Sequence, residues 1–138
     1  MDYTFTSKVI VSAENVAETM GSGDLQVFAT PAMVALMESA AMMAAKQLLK
    51  EGETTVGGKI DATHLRPSPI GEEISPTAQL IEQSGAKLTF EVSANDSRGV
   101  IGKATHIRFI VDVVKFLSKL YLIEWCFYYF IFYINAFS

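Results

Sequence analysis

"VFATPAMVALMESAAMMAAKQLL", residues Val27–Leu49, decides the fold. Thr30 is a favoured N-cap type, and Pro31 suits the first helical position, where a missing N–H costs nothing. Ala, Met and Leu, all strong helix formers, dominate the residues after Pro31, and Gly52 closes the run after Lys50 and Glu51. Between Pro31 and Ala45 the single charge is Glu38, whose neighbours one turn away are Val34, Ala35, Ala41 and Met42. A solvated face carries polar residues at those positions. The spacing therefore predicts a lone carboxylate on a surface that something covers.

Outward from this helix the period changes. "TFTSKVIV" (Thr4–Val11) alternates and predicts a strand, while "GSGD" (Gly21–Asp24) predicts a loop. Beyond Gly52, period-two patterns predict strands at Thr55–Leu65, Ile74–Gln83, Ala86–Ala94 and Gly99–Asp112. "QSGA" and "NDSRG" mark turns between the last three, and "RPSPIG" (Arg66–Gly71) separates the first two. Pro76 inside a run points to an edge position or a bulge. One strand, one long helix and four strands give an α+β domain with a five-stranded antiparallel sheet packed on the helix. Ala32, Ala35, Ser39, Ala40, Ala41, Ala44 and Ala45 let the helix lie close to a curved sheet. A helix this apolar needs cover on most sides. One such sheet is too small for a helix about 30 Å long, so a partner subunit or the aromatic tail supplies the rest.

Composition bounds the function. A chain of 138 residues is one domain that buries a core without staples. The net charge of -4 argues against a nucleic-acid partner. One cysteine, Cys126, and two histidines leave neither an internal disulfide nor a metal-ligand spacing. The N-terminus has no basic region followed by an apolar one, so the expected address is cytoplasmic. "LYLIEWCFYYFIFYINAF" (Leu120–Phe137) holds nine of the fifteen aromatics. Its Glu124, its tyrosines and its short uncharged core (Trp125–Ile134) argue against a membrane span. The expected division is a domain at 1–116 and an apolar tail at 117–138.

The order of elements and the phrases "VFATPAMVALMESAA" (Val27–Ala41), "THLRPSPIG" (Thr63–Gly71) and "GKATHIRFIVD" (Gly102–Asp112) resemble the hot-dog-fold thioesterases, in particular the fluoroacetyl-CoA thioesterase-like family. The resemblance runs from about Thr4 to Phe116. It implies a hot-dog fold, with one long central helix wrapped by the sheet, and hydrolysis of an acyl-CoA thioester with a small or medium acyl group. It also implies a catalytic set of Thr30, Glu38 and His64, with Gly57 and Arg108 lining the acyl pocket. Coenzyme A enters as part of the substrate, and no separate cofactor is implied. The segment Ser12–Gln26 carries no aromatic residue from which to build a lid over a small acyl group. That departure counts against an aromatic lid over a small acyl group, and so against fluoroacetyl-CoA as the expected substrate.

Each residue also has a plainer reading. Thr30 suits an N-cap, Glu38 a structural ion pair with a cation from a neighbouring strand, and His64 a core histidine beside Ile60 and Ala62. His106 shares its strand face with Arg108 and reads as structural or as a support behind the site residues, and Met33, Met37, Met42 and Met43 read as core filling. In the catalytic reading, a carboxylate among Val, Ala and Met loses hydration, which raises its pKa and makes its ionised form more reactive. It then acts as general base or as nucleophile, while N–H groups from Ala32 onward face the developing oxyanion and His64 carries a proton to the thiolate. Thr30 and Glu38 lie about 12 Å apart along the helix and about 80° off a shared face. Facing helices of a homodimer bring the two to one carbonyl. A hydratase or dehydratase, and a module that binds acyl-CoA without cleaving it, fit the same residues. Product analysis separates the first from a hydrolase, and survival of the thioester separates the second.

Overall fold

The computed structural model describes residues 2–121. The chain runs β1 (Thr4–Thr6), β2 (Val9–Ile10), α1 (Ala17–Met20), α2 (Thr30–Lys46), β3 (Glu53–His64), β4 (Glu73–Ser84), β5 (Lys87–Asp96) and β6 (Gly99–Asp112). Residues 113–121 are helical, and Asp112 Oδ1 accepts the Lys115 N–H at 3.0 Å where that helix begins. The sheet is antiparallel in the order β1-β4-β5-β6-β3, and β2 also pairs β4. The long helix α2 packs across one face, so the hot-dog arrangement of helix and wrapping sheet is present.

The first strand is broken, and the sheet has six strands instead of five. Thr6 pairs Thr77 and Val9 pairs Ile74, which is one continuous register with a gap at Ser7 and Lys8. Pro76 lies opposite that gap. The Ser7 N–H donates to the Pro76 carbonyl at 3.0 Å, but proline has no N–H to return. The sequence pattern points to an edge or bulge at Pro76, and the effect of the proline falls on the partner strand.

The start of α2 also differs from expectation. Ala29, at φ -71 and ψ 139, is the N-cap and makes no side-chain cap; Thr30 is the first helical residue. The Thr30 hydroxyl is turned to His64 instead of to the helix amides. The helix stops at Lys46, short of the expected end, and Gly52 at φ 83 turns the chain into β3. The short helix α1 has no counterpart among the expected elements. Gly21, at φ 73, ends it in the left-handed conformation that glycine adopts without strain.

The core lies between α2 and the sheet. Met33, Met37, Ala40, Ala41, Ala44 and Ala45 are buried against Ile74, Leu88, Phe90 and Ile101. Each large side chain fully removed from water there contributes about 1.5–3 kcal/mol. A Cβ at Gly102 on β6 would stand 2.5 Å from Met33 Sδ and 3.0 Å from the Thr63 carbonyl. A bare backbone here leaves room for the end of the Met33 side chain. The other flank of α2 is left uncovered by the sheet, with Pro31 and Ala35 exposed.

Candidate active site

His64 is the last residue of β3, where the chain leaves the sheet with the Leu65 and Arg66 amides both directed at the Ile101 carbonyl, at 2.7 and 3.3 Å. Its Nδ1 lies 2.8 Å from the Thr30 hydroxyl. Its Nε2 is buried and makes no hydrogen bond. Burial lowers the His64 pKa, with the Arg66 main chain opposing, so the ring is neutral at neutral pH. One ring nitrogen then holds a proton and the other a lone pair. A cleft of about 270 Å³ opens beside the pair, between Val27, Phe28, Ser22 and Arg66. The helix start adds a donor. Met33 N–H closes the first bond, to Ala29 at 3.0 Å, Pro31 has no N–H, and the Ala32 amide remains free within the turn.

Glu38 belongs to a second cluster. Its Oε2 lies 3.8 Å from Arg108 Nη1 and 4.0 Å from His106 Nε2, and its side chain is 41% exposed. Gly57 sits directly opposite Arg108 in the β3–β6 register, where a bulge displaces Gly58. A Cβ at Gly57 would stand 2.8 Å from Glu38 Oε2, so glycine leaves room for the carboxylate. Arg108 is fixed by Thr55, its Nε donating to Oγ1 at 2.8 Å and its Nη2 to the carbonyl at 3.0 Å.

His106 completes this cluster. Its Nδ1 lies 2.7 Å from the Lys59 carbonyl, which can only accept, so Nδ1 carries the proton. Nε2 is then the acceptor for Arg108 Nη1 at 3.2 Å. Burial foremost lowers the His106 pKa; Arg108 acts the same way, against the Lys59 carbonyl and Glu38. From sequence alone His106 reads as structural or as a support behind the site residues, and Thr55 does not stand out. Both carry a signal all the same: His106 shares a face with Arg108, and Thr55 shares one with Gly57.

Thus Thr30 and His64 come together, and so do Glu38, Gly57 and Arg108. Within one chain the two groups remain apart along α2. The plainer reading of Glu38, a cation reaching it from a neighbouring strand, is met by Arg108, although 3.8 Å is beyond hydrogen-bonding distance. The aromatic tail beyond residue 121 lies outside the described residues. Among those residues no helix is long and apolar enough to cross a membrane.

Comparison with known proteins bears on the family and the fold. The family model described as FlK, fluoroacetyl-CoA-specific thioesterase, matches residues 11–114. The fluoroacetyl-CoA thioesterase of Streptantibioticus cattleyicolor is 39% identical over 94 residues, 68% of each chain. A solved structure of the fluoroacetyl-CoA thioesterase FlK superposes with a TM-score of 0.79 at 32% identity, covering 86% of this chain and 93% of that one. A thioesterase superfamily member from Thermus thermophilus superposes at 0.82 with 24% identity, over 91% and 93% of the two chains, and speaks for the fold alone. By family match, identity and coverage together, this chain belongs to the fluoroacetyl-CoA-specific thioesterase family.

Proposed function

We propose that the protein hydrolyses acyl-CoA thioesters carrying a small or medium acyl group, in an active site shared between two subunits. Family membership supports the thioesterase class. The observation that carries the site is the hydrogen bond of 2.8 Å between Thr30 and His64 at the start of the helix that also bears Glu38.

Glu38 is the base that takes a proton from water, or the carboxylate that attacks the thioester carbonyl directly. Arg108 and His106 hold its approach, and Gly57 leaves space for the acyl group beside it. The Ala32 amide at the helix start faces the oxygen on which charge develops. His64, neutral and hydrogen-bonded to Thr30, relays a proton: it gives its N–H proton to the departing thiolate as its other ring nitrogen takes up the proton released in the attack. The C–S bond breaks and free coenzyme A leaves; the carboxylic acid is released at once when water attacks, or, when Glu38 attacks, after water hydrolyses the anhydride formed on Glu38, so this reading needs no further cofactor.

The homodimer is part of the proposal because Thr30 and Glu38 serve different clusters. Two features support it. Glu38 is half-exposed in a single chain, and β3 ends the sheet order with Gly57, Gly58 and Lys59 exposed along it. Among the described residues this edge has no partner strand, and an open edge of this length is a template for a second copy. The test is release of free thiol from short, medium and aromatic acyl-CoAs, with enoyl-CoA as a control for hydration. Thiol release from saturated thioesters supports hydrolysis. Thioesters that are bound but left intact, or enoyl-CoA that is only hydrated, overturn it.

A further inference from the structure

Asp96, the last residue of β5, has a side chain with no exposed surface. A buried carboxylate is costly unless fully paired, and this one accepts from four donors. Arg66 Nη2 donates to Oδ1 at 2.8 Å and Nη1 to Oδ2 at 3.4 Å; Ser68 Oγ donates to Oδ2 at 2.8 Å; the Arg98 amide donates to Oδ1 at 2.8 Å. Only the Arg98 amide belongs to the turn that Asp96 itself begins. The side-chain donors come from the segment just after His64.

That segment leads to both partners of the Thr30–His64 hydrogen bond. Arg66 stands two residues after His64, so fixing its guanidinium fixes where the chain goes as it leaves β3. The Ser68 carbonyl accepts the Phe28 amide at 2.9 Å, and Val27 bridges Pro69. Phe28 precedes the Ala29 cap and Thr30. One carboxylate therefore braces the strand exit that carries the imidazole and the stretch that delivers the hydroxyl. We propose that Asp96 is a positioning residue that sets the Thr30–His64 hydrogen bond through Arg66 and Ser68. The inference rests on the reading of Thr30 and His64 as active residues.

The test uses the two histidines of the chain, His64 and His106, as internal reporter and control. Imidazole nitrogen resonances of the full chain are followed through a pH titration, assigned with His64→Ala and His106→Ala. In Ser68→Ala, which removes one hydrogen bond and keeps the Arg66–Asp96 pair, the His64 resonances and midpoint should move while those of His106 stay. Asp96→Asn should move His64 further and lower kcat for thiol release by about tenfold or more, as expected when a reacting group is misplaced by a fraction of an ångström or more. Added to His64→Ala, Asp96→Asn should cost less than about twofold, because residues acting through one another are non-additive. Should Asp96→Asn fail to fold, Ser68→Ala carries both the spectroscopic and the kinetic arm. An unmoved His64, two histidines that move together, unchanged turnover in both variants, or losses that multiply in the double variant would each overturn the proposal. If His64 responds as expected but His64→Ala keeps full turnover, Asp96 still positions His64, and the functional reading of the pair fails on its own.

Discussion

Thr30 and Glu38 share one helix, yet Thr30 meets His64 at 2.8 Å while Glu38 faces Arg108 at 3.8 Å. A single thioester carbonyl is too small to touch both groups of one chain. Facing α2 helices of two chains remove the difficulty, since the start of one then lies beside the middle of the other. Mixing Thr30→Ala chains with Glu38→Gln chains should restore thiol release, because a mixed dimer regains one intact site. Proven subunit exchange with no recovery would mean that both residues act within one chain.

Replacing Glu38 by Gln keeps shape and removes the charge. Turnover should fall by about two orders of magnitude or more, within the range for a positioned acid or base. A variant that keeps most of its rate removes Glu38 from the mechanism and leaves the fold untouched.

Gly57→Ala places a methyl 2.8 Å from Glu38 Oε2 and 3.4 Å from Arg108 Nη1. The carboxylate must move, and a displaced reacting group costs about tenfold or more in rate. Thermal unfolding should change little by comparison, because Glu38 has solvent on its other side. A normal rate in this variant would show that the carboxylate works from another position.

Both imidazoles are held neutral, and this fixes the direction of two pH effects. An unfolded histidine binds its proton near pH ~6.5, and the folded ones bind it only at lower pH. The unfolded chain takes up more protons between those values, so stability is full above about pH 6.5 and falls as the pH drops toward the folded pKa values. Urea midpoints at about pH 7.5 and about pH 5.5 check the sign. The acid limb of kcat/KM, if neutral His64 is required, should lie below the ordinary histidine value. A limb at or above it would contradict the role assigned to His64.

The apolar tail is expected to be dispensable. A chain ending at Leu117 should stay soluble, dimeric and as active as the full one. Aggregation or lost activity would make the tail part of the domain. Sedimentation and thiol release on the two chains side by side decide it.

How far the sequence carries depends on the kind of interaction. Helix α2 and strand β6 are legible because their signals are local: helix formers between a Thr-Pro and a Gly, and a long alternation that ends at Asp112. The break between β1 and β2 is not, since its cause, Pro76, lies on the facing strand and acts across the sheet. The expected cap at Thr30 fails for a related reason. Local chemistry favours a threonine cap, but the hydroxyl bonds a histidine 34 positions away. In the candidate site, the resemblance supplies Thr30, Glu38, His64, Gly57 and Arg108 together. The bracing by Thr55, His106 and Asp96 depends on side chains that meet only once the sheet is assembled; a strand face shared with Gly57 or Arg108 marks the first two, and no spacing along the chain announces Asp96.

Gly102 bears on how this sequence can change. It is a point of close approach between the sheet and Met33, on the helix that carries Thr30 near one end and Glu38 near its middle. A first methyl at position 102 would press on Met33, and through it on the helix that carries both residues. Tolerance of mutation and retention of activity are therefore joined at a position that touches no substrate. A lineage exploring new acyl groups is free to vary the walls of the cleft, but a side chain at position 102 needs Met33 to move or shrink and the Thr63 carbonyl to give way as well.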